Sequence, residues 1–396
     1  MTMDELVKTI FDMAKCAFSG TRYTGSIPEC DFVGLARQLG LSGLLYDVLD
    51  KESTPKPISD QLKKDHLAYL AMDTIQQEAI WEIHGILDET GVDNIFLKGS
   101  FLKQLYPATW MRPMGDIDIL VKPEGREKAR KTMVRNGYRN PFDGATHDVY
   151  FKDNSIHVEI HPQIDTHLEE AHLKALGDVW ADAVPIAGCE YELDTSTNLL
   201  YIICHLAKHL KSSGIGIRQI LDVGVMLTKM DDKIDRARFF GLLDESGLRL
   251  FFDHLVYINK KYFDFPIDEA YLAGYVPDDG LIEEMLDYFI ASGVHGKAPN
   301  FNQAVPALTK ISSKEGRVRF SKTKYLFHVA FPTYKDMAAT RKYLHKHPYL
   351  LPYAWMSRWY DLMFKKTRRS IAKLKALKVD PKELENKRIL YEKMGL

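Results

Sequence analysis

The sequence predicts an α+β protein: a mixed β-sheet core carried between large helical N- and C-terminal regions. Three observations predict it. Apolar residues recur at helical spacing through 1–90 and again from 195 onward. Between those stretches the apolar runs are short and alternate in period two. One of the short runs carries Asp116 and Asp118, one residue apart.

Residues 1–90 read as an N-terminal helical region. A helix over 3–18 uses Leu6, Ile10, Phe11, Met13 and Ala14. A second, over 31–49, opens on an N-capping aspartate and uses Phe32, Leu35, Leu39, Leu44 and Leu45. A proline-containing connector at 53–57 leads into a long helix over 59–90. That helix carries Leu67, Leu70, Ile75, Ile80, Ile83 and Leu87 and is stopped by Gly91.

Residues 91–194 form the α/β core. Strands are expected over 94–97, 116–121, 147–152 and 156–161, the last two around the turn-forming Asp153-Asn154-Ser155. A short helix over 99–106 ends at Pro107, and an amphipathic helix over 123–136 ends at Gly137. The order is β-α-β-α-β-β, with 189–193 as a further strand. Residues 195–292 form a helical domain, with helices over 196–210, 217–229, 235–247, 249–262, 267–274 and 279–292. Residues 293–396 complete the chain: a Gly-, Pro-, Ser- and Lys-rich loop or lid over 293–325, then a helical tail that becomes increasingly basic.

Composition narrows the classes. The 396 residues are 45% hydrophobic and 27% charged, enough for a sizeable core in more than one domain. A formal net charge of -1 argues against an overall electrostatic nucleic-acid binder. Cys16, Cys30, Cys189 and Cys204 form no CxxC pair, which argues against a structural zinc or disulfide scaffold and for a reducing compartment. The acidic start Met1-Thr2-Met3-Asp4-Glu5 lacks the basic n-region of a secretory signal, and no apolar run approaches membrane-spanning length. The expectation is a cytoplasmic protein. Nothing in the pattern sets an oligomeric state.

Side chains on a strand alternate faces, so Asp116 and Asp118 point the same way. Two adjacent carboxylates repel, and a divalent cation relieves that repulsion. Mg²⁺ (or Mn²⁺) suits a few carboxylates together with substrate phosphates. Lys98-Gly99-Ser100 supplies the complementary half: Gly99 lets backbone approach a phosphate at a helix start, Ser100 adds a hydroxyl donor, and Lys98 adds positive charge. Arg112, in the loop entering the aspartate strand, either clamps a phosphate or pairs with the aspartates. A third carboxylate should lie on a neighbouring strand, and Glu159 fits best, sharing a face with His157 and His161. It would bind metal or act as a general base. Asp148 and Asp153 fit less well. His205 and His209 share a helix face with Lys208 beside them, and Arg218 and Asp222 form another i, i+4 pair. As a group they either line the nucleotide side of a cleft or form a structural polar network.

Leu97-Lys98-Gly99-Ser100, Tyr106-Pro107 and Arg112-Pro113-Met114-Gly115-Asp116-Ile117-Asp118-Ile119-Leu120-Val121 resemble the nucleotidyltransferase superfamily of the DNA polymerase β type. More narrowly they resemble the uncharacterised nucleotidyltransferase family. The likeness continues through His205-Leu206-Ala207-Lys208-His209, Arg218-Gln219-Ile220-Leu221-Asp222, Leu350-Leu351-Pro352 and Arg358, spanning roughly 85–370. It implies a nucleotidyltransferase-like fold and metal-dependent transfer of a nucleoside monophosphate from an NTP, with an acceptor the resemblance does not name. Members often carry aspartate as the third carboxylate, where this chain has Glu159.

Three other readings compete. A catalytically silent member would bind a nucleotide or a protein partner, as in a toxin–antitoxin pair; the intact aspartate pair disfavours it. A mononuclear hydrolase would use the aspartates with His157 and His161, but no compact histidine motif accompanies them. A membrane-associated transferase would use the basic segment 355–378, with Trp355, Trp359, Leu362, Met363 and Phe364 interleaved, as a peripheral anchor. The balance for that segment favours a solvated helix whose aromatic side packs on the protein.

Overall fold

A computed structural model describes residues 3–28, 31–143, 146–153, 155–165, 167–296, 343–360 and 381–396, with 302, 309, 327, 330–334, 337 and 341. The N-terminal helices are α1 (Met3–Ser19), α2 (Phe32–Leu39), α3 (Ser42–Leu45) and the 34-residue α4 (Lys56–Glu89). The single helix expected over 31–49 is broken. Asp31 caps α2 by accepting from the Gly34 amide, and Gly40, at φ 74°, ends it in the left-handed region. α4 starts earlier than expected because Pro57 is tolerated in its first turn. Its buried side uses Ile58, Leu62, Ala79, Ile83, Ile86 and Leu87, whereas Leu67 and Ile75 of the expected stripe face outward.

The sheet has seven strands in the order β3-β4-β5-β2-β1-β7-β6. They are β1 (Asn94–Leu97), β2 (Ile117–Val121), β3 (Arg139–Asp143), β4 (Asp148–Lys152), β5 (Ile156–His161), β6 (Val184–Ala187) and β7 (Glu190–Glu192). β2 runs antiparallel to β1 and parallel to β5, and β7 runs parallel to β1, so the sheet is mixed. β3 and β6 were not legible in the sequence. Each contains a proline at a sheet edge, and neither alternates in polarity.

Register sorts the side chains. Phe96 lies opposite Ile119, and Ile117 opposite Val158. These residues join Val121, Ile156 and Ile160 on the face covered by α4 and by α6 (Arg126–Arg135). Leu97 lies opposite Asp118 and Ile95 opposite Leu120, and this second face meets the larger core. That core contains α8 (Thr195–Leu210), α9 (Ile217–Lys229), α10 (Arg236–Ser246), α11 (Arg249–Phe263) and α12 (Asp279–Ser292), with α7 (Glu170–Leu176) beside α10. The helix expected over 267–274 is one 3₁₀ turn, Glu269–Leu272.

Between β1 and β2 the chain makes the four-residue helix α5 (Gly99–Leu102) and then a loop that returns to β2. That loop is bolted to α9. Arg112 donates to both oxygens of Asp222, at 3.1 and 2.8 Å, and the Tyr106 hydroxyl donates to the same carboxylate at 2.8 Å. Arg218 donates to the Pro113 carbonyl at 2.6 Å, and Gln76 of α4 to the Met114 carbonyl at 2.9 Å. The Arg218–Asp222 pair expected from i, i+4 spacing therefore gives way: Asp222 takes Arg112, and Arg218 takes a carbonyl.

Among the described residues no helix is long and apolar enough to cross a membrane. Most of the loop expected over 293–325, and residues 361–378 of the basic segment, lie outside the described residues. In the described part of that segment, the indoles of Trp355 and Trp359 donate to the Pro332 and Ala330 carbonyls and pack edge-on against Phe331.

Asp222→Ala strands the buried Arg112 guanidinium. The expected loss is about 3–5 kcal/mol of unfolding free energy, read from urea denaturation. A loss under about 1 kcal/mol, the range of an exposed pair, would show that this bolt does not hold the loop.

Candidate active site

The site forms where Lys98, just past the end of β1, meets the polar side chains of β2 and β5 on the sheet face near α8. Parallel pairing of β2 with β5 puts Asp118 beside Glu159, so one face carries a row of acids. Asp116 stands just before β2. His157, Glu159 and His161 alternate with the buried Ile156, Val158 and Ile160, as period two requires. Of the weaker third-carboxylate candidates, Asp148 is buried and holds Arg126 through two bonds, at 2.9 and 2.8 Å. Asp153 is an exposed turn residue at φ 49°. Neither joins the acid row.

Asp118 is 3% exposed and accepts two hydrogen bonds on the same oxygen, Oδ1: from Lys98 Nζ at 2.8 Å and from His161 Nε2 at 2.9 Å. Among the described residues no donor reaches Oδ2. Burial works to raise this carboxyl, but Lys98 and His161 overcome it and hold it well below the usual carboxylate range. Lys98 responds in kind: burial opposes its charge, the Asp118 carboxylate restores it, and the ammonium stays protonated above its ordinary value. The His161 imidazole is lowered by burial and raised more by its bonds to Asp118 and Glu159, ending above its ordinary value. Glu159 is held low chiefly by His161, against burial.

Asp116 is different. It is half-buried and makes no hydrogen bond or ion pair with any described residue. Burial first, then the neighbouring charge of Asp118, pushes its carboxyl up. A carboxylate with no partner, beside Asp118 with its open Oδ2, is a place where positive charge is wanted.

Lys98 itself is strained. It sits at φ 50° as the residue before α5, in the region that favours glycine, at a cost of about 1–3 kcal/mol. Its carbonyl accepts from the Leu102 amide at 2.8 Å, and its side chain is bonded to Asp118, so both ends are held. Gly99 is required by packing: a Cβ there would lie 2.9 Å from both Met114 Cβ and Arg112 Nη1. Ser100 is buried, its hydroxyl 3.8 Å from the Met114 sulfur.

Lys98, Asp116, Asp118 and Glu159 are thus brought together. Arg112 is placed behind them, its fork taken by Asp222. His205 and Lys208 of α8 converge on Asp165. Lys208 bonds its carboxylate, and His205 Nδ1 lies 3.6 Å away. Burial and the nearby Lys98 ammonium keep His205 well below its ordinary pKa, and burial with Lys208 pushes His209 down to about 4. The Tyr201 hydroxyl, also on α8, sits against Lys98. Sequence reasoning missed Asp165, Tyr201 and His147. The first lies in a loop after β5, the second reads as core, and the third stands at a strand edge with no motif around it.

A family model described as uncharacterised nucleotidyltransferase matches residues 27–264. That span contains the whole sheet, the acid row and α8. It starts within the N-terminal helices and stops before Leu350-Leu351-Pro352 and Arg358. Comparison with curated proteins and with solved structures found no match.

Asp118 sets an acid limit. Its unfolded pKa is about 3.9 and its folded value is lower, so its contribution to stability is present above about pH 4 and lost as pH falls further. Urea midpoints should drop below about pH 4 in the native chain, and Asp118→Asn should flatten that slope. An unchanged slope in the variant would contradict the ion-paired state.

Proposed function

We propose that this chain, which belongs to the uncharacterised nucleotidyltransferase family, moves a nucleoside monophosphate from an NTP to a hydroxyl or amine acceptor and releases pyrophosphate. The unpartnered Asp116 carboxylate beside Asp118 carries the reading. Asp116, Asp118 through Oδ2, and Glu159 would hold Mg²⁺ (or Mn²⁺), and the ion would supply charge neutralisation at the transferring phosphate.

The protein's own residues do the rest. Lys98 is charged, half-buried and already bonded to Asp118, so it can share its remaining protons with a phosphate oxygen without leaving the site. Gly99 and Ser100 start α5 directly after it, and the first amides of a helix have no partner within it. Alternatively Glu159, held low by His161 and so ionised at neutral pH, acts as a general base on the acceptor instead of binding the ion. His205 is neutral and offers its imidazole from the α8 side, with Lys208 and His209. Arg112 acts from behind: bonded to Asp222, it fixes the loop that aims Asp116.

Asp116→Asn or Asp118→Asn should lower transfer on the order of a thousandfold, several kcal/mol of lost charge stabilisation. The measurement is release of pyrophosphate and transfer of label from the four α-labelled NTPs with Mg²⁺ or Mn²⁺, with circular dichroism confirming the fold. Full turnover in both variants would remove these residues from the mechanism. Mg²⁺-dependent NTP binding with no transfer to any acceptor pool would point to a silent binding protein instead.

A further inference from the structure

The acid row continues past the aspartates into a set of different chemistry. β4 and β5 pair with Asp148 opposite Ile160 and Val149 opposite Glu159, which brings His147, just before β4, alongside His161. The two imidazole rings lie 5.2 Å apart, tilted by 34°. Glu159 Oε2 faces both, 3.8 Å from His147 Nε2 and 3.5 Å from His161 Nε2. The three ligand atoms all fall within 4.8 Å of one another. We propose that His147, Glu159 and His161 form a binding site for a nitrogen-preferring first-row cation of the zinc class, adjoining the carboxylate site and sharing Glu159 with it.

Ligand chemistry selects the ion. Mg²⁺ prefers oxygen ligands and octahedral geometry. Two imidazoles and one carboxylate suit zinc and its neighbours. Bonds of about 2.0–2.2 Å put tetrahedral ligands about 3.4 Å apart, so closing on an ion needs small side-chain adjustments and no backbone change. On binding, the proton on His161 Nε2 leaves to water and the ring nitrogen takes the ion. Asp118 Oδ1, now 2.9 Å from that nitrogen, is within reach as a fourth ligand. Thr146 Oγ1 shares a 3.0 Å hydrogen bond with His147 Nδ1, which orients the ring with Nε2 toward Glu159, the arrangement metal-binding histidines use. Burial keeps His147 below its ordinary pKa, in the neutral form a ligand needs.

A rival trio shares Glu159: Asp116, His157 and Glu159 also gather closely. His157 is stacked on Phe151 at 4.9 Å and reaches only the other carboxylate oxygen, Oε1, at 3.8 Å. The trio with two imidazoles on one oxygen is the better zinc site. This inference does not rest on nucleotidyl transfer.

The test uses the full chain, stripped of metal and without nucleotide. Zn²⁺ is titrated by calorimetry, and Co²⁺ by its visible absorption, which reports imidazole ligation. The native chain should bind one ion. His147→Ala and the shape-preserving Glu159→Gln should weaken zinc binding by about 100-fold or more, since even an outer partner of a ligand is worth about 10–100-fold. His157→Ala should leave it unchanged. Native affinity in His147→Ala or Glu159→Gln, or an equal loss in His157→Ala, overturns the site. Because no nucleotide is present, a chain that binds zinc but transfers nothing, or the reverse, separates this inference from the proposed transfer.

Discussion

A carboxylate shut away from water has to be given a positive neighbour, and the centre of this protein is organised around that need. Asp118 is buried at the sheet face, and Lys98 and His161 both bond to one of its oxygens. The pair is costly to bury and costly to break. It also explains the left-handed backbone at Lys98. A lysine in that conformation is tolerated because the turn delivers its ammonium to Asp118 and lets α5 begin at the next residue. Strain, ion pair and helix start are one device, built at the junction of β1 and β2.

The second device holds Asp116 in place. The return loop from α5 is tied to α9 by Arg112 and Tyr106 to Asp222 and by Arg218 to Pro113, and to α4 by Gln76 to Met114 and Thr109 to Asp73. α4 and α9 therefore grip the loop from two sides, and the site is positioned by both helical regions and not by the sheet alone. Gly99 belongs to the same packing, because Met114 and Arg112 occupy the space a side chain would need. Asp116 is left as the one acid of the row to which no described residue bonds.

Much of this was legible in period two. Alternation over Asp116–Asp118 and over β5 places the aspartates and Glu159 on polar faces opposite their isoleucines, and the helical spacings locate α1, α8, α9 and α12. Other features depend on neighbours that a linear pattern does not contain. Spacing within α9 suggested Arg218–Asp222, yet a better-aligned guanidinium, Arg112, arrives from the loop 110 positions earlier in the chain and takes the carboxylate. Asp148 alternates onto the face opposite Glu159, but only the register shows that it belongs with Arg126. His147 opens the strand expected over 147–152, but alternation alone does not single it out; it matters through the antiparallel pairing that sets it beside His161. Edge strands β3 and β6 carry prolines and lack alternation, so their pairing follows from the sheet and not from their own residues.

In the proposed function, the acid row and the Lys98-Gly99-Ser100 turn together take up a divalent cation with a phosphate-bearing ligand. Electron paramagnetic resonance of Mn²⁺, titrated against the zinc-saturated full chain with and without a non-hydrolysable NTP analogue, reads this directly. The analogue should create a bound Mn²⁺ population, and Asp116→Asn should remove it while the fold is retained. Mn²⁺ uptake that ignores the analogue, or that survives Asp116→Asn intact, would contradict the proposed function.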